Sequence, residues 1–431
     1  MTLATASTLS ALSFADVRRH LLARDEIALI DLREEHPFAQ AHPLWAANLP
    51  LDLIERDAVR RIPRRDTLVV LYGEQDGVDR VPAAAERFAA LGYTNVHALE
   101  GGLDGWRAAG GELFRDVNVP SKSFGELVEH ERQTPSLSAQ EVKALIDAKA
   151  DVVVLDARRF DEYRTMRIPG ATSVPGAELV LRARALAPHP KTRIIVNCAG
   201  RTRSIIGTQS LVNAGLPNPV AALRNGTIGW KLAGQVLDTG AARQAPAVDA
   251  THRAEAQAGA RAVAERAGVR WITLDALDTL EAPTRTVYRF DVRTPEEYAA
   301  GHLPSFASAP GGQLVQETDH HVPVRGARIV LADDDGVRAP MTASWLAQMG
   351  WDVFVIDPPP PASAWRETGA PAVAHSVGAQ RYRRPYEGTD APPEAMQAYL
   401  DWEFGLVEQL ARDGTHHFQV IQVQGPTAGA R

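Results

Sequence analysis

Short aliphatic and β-branched runs alternate along most of the chain with longer stretches of helical period, the alternation expected of an α/β fold. Three segments repeat one order of landmarks. Each opens on a hydroxyl residue suited to cap a helix: Ser13, Ser138 and Thr273. Asp16 and Glu141 stand three positions on and complete a capping box in the first two, whereas the third has Ala276 there. Each then reaches an apolar run ending in Asp-x-Arg (IALIDLR, VVVLDAR, YRFDVR), with Asp31, Asp156 and Asp291 all 18 residues after the cap. A second run (TLVVL, RIIVN, RIVLA) leads into a loop containing Arg80, Arg203 or Arg338, which lie 49, 47 and 47 residues beyond the aspartate. A helical stretch closed by Gly92, Gly215 or Gly350 follows, then a third run (VHAL, VAAL, VFVI) and Trp106, Trp230 or Trp365. Landmarks held to within two positions across three copies mark an internal repeat.

The repeat predicts three tandem α/β modules over about 9–118, 134–240 and 269–372, each a mainly parallel sheet flanked by helices on both faces. Between the first two, SKSFGELVEHERQ (121–133) reads as a polar, partly helical linker; between the second and third, 241–268 begins as linker and ends as helix. In the C-terminal tail, 373–431, residues 393–412 read as one amphipathic helix with Tyr399, Trp402, Leu406 and Leu410 on a face that packs on a module. The three tryptophans are expected as core anchors. The Asp-x-Arg pairs are expected as buried structural ion pairs, and RYRRP (381–385) as a solvated basic patch.

Composition narrows the function classes. The 431 residues are 45% hydrophobic and 23% charged, as in soluble globular proteins. No run approaches the roughly 20 apolar residues that span a bilayer. The N-terminus lacks the basic start and compact apolar core of a secretory signal, so a cytoplasmic protein without membrane attachment is expected. A formal charge of −7 supplies no basic field for nucleic acid. The single cysteine, Cys198, excludes an intramolecular disulfide framework and any multi-cysteine metal centre. His320-His321 and His416-His417 lack the spacing of metal ligands, and no metal is expected.

Cys198 sits in IIVNCAGRTRSIIGTQSL, between a strand over 194–196 and a helix from Ile205 onward. Residues 198–204 therefore form a tight turn at the carboxyl edge of a parallel sheet, where open α/β folds bind ligands. Backbone N–H groups converge there and the helix dipole favours an anion, which stabilises a thiolate. Arg201 and Arg203 add positive charge where cations are locally unfavourable, by about 0.3–1 kcal/mol each, unless an anion sits between them. A lone cysteine is usually a small buried hydrophobe; its position, Gly200 and the two arginines favour a nucleophile here.

These residues resemble the rhodanese (sulfurtransferase) family with tandem modules. The resemblance is carried by Asp-x-Arg with the following Glu162-Tyr163 and Glu297-Tyr298, by Ile168-Pro169-Gly170-Ala171, by the Cys198-AGRTR-Ser204 loop and by Gly229-Trp230. His302-Leu303-Pro304 and Gly101-Gly102…Gly105-Trp106 repeat parts of it, and about three quarters of the chain is covered. It implies a ping-pong transfer in which Cys198 takes sulfur from an anionic donor such as thiosulfate and yields it to an external thiol or cyanide. The backbone N–H groups of Ala199, Gly200, Arg201, Thr202, Arg203 and Ser204 would hold the persulfide, Arg201 and Arg203 would attract the donor, and no cofactor is needed. The third module has Asp333 in place of cysteine, with Asp334 and Asp335 expected to repel an anionic donor. The first module places its cysteine position among Gly73 to Gln75, and both are read as non-catalytic. Two alternatives remain: a persulfide carrier loaded by a sulfur-relay partner, and a cysteine-dependent phosphatase. The latter is disfavoured because the loop has four residues between Cys198 and Arg203, one fewer than phosphatases of that kind use.

Overall fold

A computed structural model of the chain describes residues 9–240, 243–280, 285–371, 380–388 and 390–422. Each module is built on a five-stranded sheet whose strands are all parallel. In the second module the strands run, in spatial order, Thr172–Ser173, Val152–Asp156, Arg193–Asn197, Val220–Leu223 and Ser136–Leu137. The first and third modules repeat that order, so the triplicated pattern is a triplicated topology. The central strands are apolar because helices cover both faces.

The capping boxes form at Ser13 with Asp16 and at Ser138 with Glu141. Thr273 opens a 3₁₀ helix, Leu274–Leu280, instead of the expected α-helix, and the third module forms its box at Thr294 with Glu297. With Ala276 at the third position, no acid returns to the Thr273 backbone to complete the reciprocal cap. The Asp-x-Arg pairs are buried in all three modules. Arg158 reaches Asp156 at 2.9 and 2.8 Å and donates on to the Met166 carbonyl, tying the strand end to the next loop. Arg33 with Asp31 and Arg293 with Asp291 repeat the arrangement. Trp106 and Trp230 are core anchors, but Trp365 is only half-buried and lies 3.7 Å from the Arg293 guanidinium.

The stretch read as a polar linker is a buried helix, Val119–Arg132, at the centre of the molecule. It contacts all three modules through polar side chains. Lys122 pairs with Asp116 of the first at 2.6 Å, Glu126 with Arg201 of the second at 2.7 Å, and Ser121 donates to the Gln316 carbonyl of the third at 2.7 Å. The tail forms two helices where one was expected, Pro393–Phe404 and Leu406–Asp413, separated at Gly405. Tyr399, Leu406 and Leu410 are buried as the periodicity required, with Met396 and Leu400 beside them. Among the described residues no helix is long and apolar enough to cross a membrane.

Candidate active site

The strand Arg193–Asn197 ends directly at Cys198, and the helix Thr202–Asn213 begins four residues later. Backbone carbonyls of the turn point outward: Thr227 N–H donates to Cys198 O at 2.9 Å, and Ile228 N–H to Ala199 O at 3.0 Å. The Ser204 hydroxyl donates to Arg201 O at 2.8 Å. Because each peptide is planar and trans, the N–H groups of Ala199, Gly200 and Thr202 lie on the opposite, concave side. Gly226 makes this possible, since at φ +54° a Cβ there would stand 2.4 Å from Cys198 O. The thiol itself is 1% exposed and donates to the Ser204 hydroxyl at 3.3 Å. Burial pushes its pKa up; the charge of Arg203 and hydrogen bonding with Ser204 oppose that rise.

The two arginines part company. Arg201 turns to the central helix, where its guanidinium meets Glu126 at 2.7 and 2.8 Å, contacts Glu129 and donates to Asn225 at 3.0 Å. The ring of Phe404 from the tail covers it at 4.1 Å. Arg203 is held bidentately by Glu162 at 2.9 and 2.8 Å. Burial would raise the Glu162 carboxyl, but Arg203, Arg158 and Arg159 outweigh it and hold the pKa near 2. Arg338 and Glu297 repeat this pair in the third module at the same 41-residue separation, a recurrence in the sequence that could have revealed it.

The tail closes over the loop. A Cβ on Gly200 would lie 3.2 Å from the Tyr399 ring and 3.4 Å from Glu403 Oε2. Glu403 is fully buried; Tyr399 donates to its Oε1 at 2.8 Å, while Oε2 has no hydrogen-bond partner. Burial, reinforced by Glu126, pushes its pKa up to about 8. Lys122 faces the rings of Tyr399, Trp402 and Tyr386 at 5.2, 5.4 and 5.8 Å. No periodicity or motif points to Glu126, Tyr399 or Glu403 as neighbours of Cys198, because each lies in a segment outside the second module.

Residues 13–109, 138–233 and 275–358 each match the family of the rhodanese-like domain. The chain belongs to the rhodanese-like family. It is 51% identical to the solved thiosulfate sulfurtransferase of Pseudomonas aeruginosa, over 96% of this chain and 100% of that one, with a TM-score of 0.92. It is also 24% identical over 151 residues to YrkF of Bacillus subtilis (strain 168), named as a candidate sulfur carrier; the match covers 31% of this chain and 78% of YrkF.

Compared across the repeat, the rhodanese-like loops differ in what fills them. In the third module the Asp333 carboxyl group occupies the turn and accepts from the N–H groups of Gly336, Val337 and Ala339 at 3.0, 3.1 and 2.8 Å, while burial and Asp335 push its pKa well up. These correspond in the repeat to Arg201, Thr202 and Ser204. Asp334 and Asp335, expected to repel anions, are instead neutralised: both pair with Arg338, and Asp334 also with Arg293. In the first module a hairpin of Glu74–Gln75 and Val78–Asp79 replaces the turn, reversing at Asp76-Gly77 with φ +55° and +72°. A cavity of about 400 Å³ lies where the three modules and the tail meet, lined by Arg203 and Glu162 of the second module, Glu35 of the first, Glu317 of the third and Arg384 and Tyr386 of the tail. Arg384, read as part of a solvated patch, is 16% exposed and pairs with Glu387 at 2.5 Å, while Arg381 and Arg383 stay exposed.

Proposed function

We propose that this protein is a sulfurtransferase in which Cys198 carries a sulfane sulfur from a small anionic donor such as thiosulfate to an external thiol or cyanide. The Cys198 thiolate attacks the outer sulfur of thiosulfate. A new S–S bond forms, the donor's S–S bond breaks, and sulfite leaves with the electron pair. The acceptor thiolate or cyanide then attacks the outer sulfur of the Cys198 persulfide, forming an organic persulfide or thiocyanate and restoring the thiolate. The second module (134–240) does the chemistry, and the modules at 9–118 and 269–372, with the tail at 373–431, wall the approach. The lone thiol suits a reducing compartment such as the cytoplasm.

The observation that carries this reading is the set of converging N–H groups in the third module. Three of them donate to the carboxyl oxygens of Asp333 in the turn equivalent to that of Cys198, a group whose pKa burial and the neighbouring Asp335 push well up. The same main-chain geometry supports a cradle for a persulfide anion made by Ala199, Gly200, Arg201, Thr202, Arg203 and Ser204. Arg203 lines the 400 Å³ cavity and meets the donor's oxygens; Arg201, committed to Glu126 and Glu129, positions the loop. The likeness to the Pseudomonas aeruginosa thiosulfate sulfurtransferase supports thiosulfate as the donor class. A thiol 1% exposed favours small substrates over a partner protein's cysteine. Incubation with thiosulfate should add one sulfur to the wild-type protein by intact mass, and Cys198→Ser should gain none while keeping its circular dichroism. Sulfur transfer by Cys198→Ser would overturn the assignment.

A further inference from the structure

On the edge of the third sheet opposite its Asp333 loop, at the joint with the first module, lies a separate cavity of about 320 Å³. Its walls include Arg24 of the first module and Arg285, Arg325, Trp351 and Asp352 of the third. The backbones meet closely here. A Cβ on Gly326 (φ +81°) would lie 2.6 Å from the Arg24 carbonyl oxygen, and one on Gly350 (φ +81°) 3.3 Å from Arg24 Nη2. Arg325 is built into the joint, its N–H donating to Ile27 O at 2.8 Å and its carbonyl accepting from Ile27 N–H at 3.2 Å.

The charges at this joint do not balance. Arg325 is 7% exposed, and its guanidinium lies between the rings of Trp45 and Trp351 at 3.6 and 4.0 Å. Its Nη1 has no hydrogen-bond partner, and the buried indole N–H of Trp351 has none either. Burial, with Arg24 nearby, pushes the Arg325 pKa down to about 9. Asp352 is the one acid lining the cavity, and it is already shared by Arg270, Arg285 and Arg328. Guanidinium and indole groups only donate, so whatever completes the site must accept. Ring faces compensate part of a buried cation's lost hydration, but an unpaired buried charge is strongly destabilising. Several guanidinium groups converging from two modules suit a tetrahedral dianion better than a planar carboxylate, which one arginine binds edge-on.

We propose that this cavity binds a tetrahedral oxyanion of the phosphate class through Arg24 and Arg325, clamping the first module to the third. The site is independent of the sulfur chemistry. Full-length protein is titrated with inorganic phosphate and, separately, with glycerol 3-phosphate, against sodium chloride of equal ionic strength, following tryptophan fluorescence and Tm. Saturable quenching and a rise in Tm beyond the chloride control are expected, and the tighter of the two probes tells whether the anion is free or the end of a small metabolite. Arg24→Ala, at an exposed side chain, should weaken phosphate at least tenfold. Arg325→Met, which removes the charge but fills the slot between the tryptophans, should raise Tm without phosphate and lose the phosphate-dependent rise. No saturable response in the wild type, or an unchanged response in Arg24→Ala, would overturn the proposal even if Arg325→Met failed to fold.

Discussion

Glu162→Gln separates stability from reactivity at the Cys198 loop. In the folded protein the Glu162 carboxyl is held near 2 against an ordinary 4.5, chiefly because Arg203 outweighs the effect of burial. That difference corresponds to about 3 kcal/mol at neutral pH. A depressed folded pKa stabilises above the unfolded value and loses that contribution as pH falls through the folded one. The contribution should therefore shrink to about 1 kcal/mol near pH 3 and vanish below about pH 2. Glutamine keeps an acceptor oxygen but removes the charge, so Glu162→Gln should be less stable than wild type by about 3 kcal/mol at pH 7, with the gap narrowing in acid. Its effect on catalysis has the opposite sign. Arg203 loses its counter-charge, which lowers the Cys198 thiol pKa and strengthens attraction for an anionic donor, so sulfur loading from low thiosulfate should quicken. Urea denaturation at several pH values and stopped-flow loading measure the two arms. A stability loss of equal size at pH 7 and pH 3, or slower loading by a folded variant, would refute the reasoning.

The other perturbations follow from the same geometry. Arg203→Ala should raise the KM for thiosulfate, whereas Arg201→Ala should leave it unchanged but lower the urea midpoint, by about 3–5 kcal/mol of stability, because Glu126 is left buried and unpaired. Gly226→Ala should cut sulfur loading at least tenfold although the residue lies 28 positions from Cys198 in the chain: the left-handed backbone costs roughly 1–2 kcal/mol, and the new Cβ displaces the Cys198 carbonyl. Glu403, raised to about 8 from 4.5, binds a proton in the folded state that the unfolded chain has released. Wild-type stability should therefore fall as pH rises between these values, and Glu403→Gln should gain Tm relative to wild type from about pH 5 to about pH 8. A pH-independent difference would show that Glu403 keeps its ordinary titration.

The repeat, the strand order within each module, the Asp-x-Arg ion pairs and the place of Cys198 at a strand-to-helix turn were all legible in the residue pattern. All of these depend on local period, local capping or short spacing, such as the single residue between Asp156 and Arg158. Its errors begin where a polar residue's partner is remote. Residues 121–133 read as a linker because they are polar, yet Lys122 and Glu126 are buried against Asp116 and Arg201. RYRRP reads as surface for the same reason, although Arg384 lines the cavity. Only the tertiary contacts divided the two loop arginines between Glu126 and Glu162, brought Tyr399 and Glu403 within about 3.4 Å of where a Gly200 Cβ would stand, and seated the Asp333 carboxyl group in the turn of the third module. Hydrophobic period specifies which face of an element is buried, but not what it is buried against. For a charged side chain the partner decides everything, because an ion in the interior is tolerable only beside the group that neutralises it.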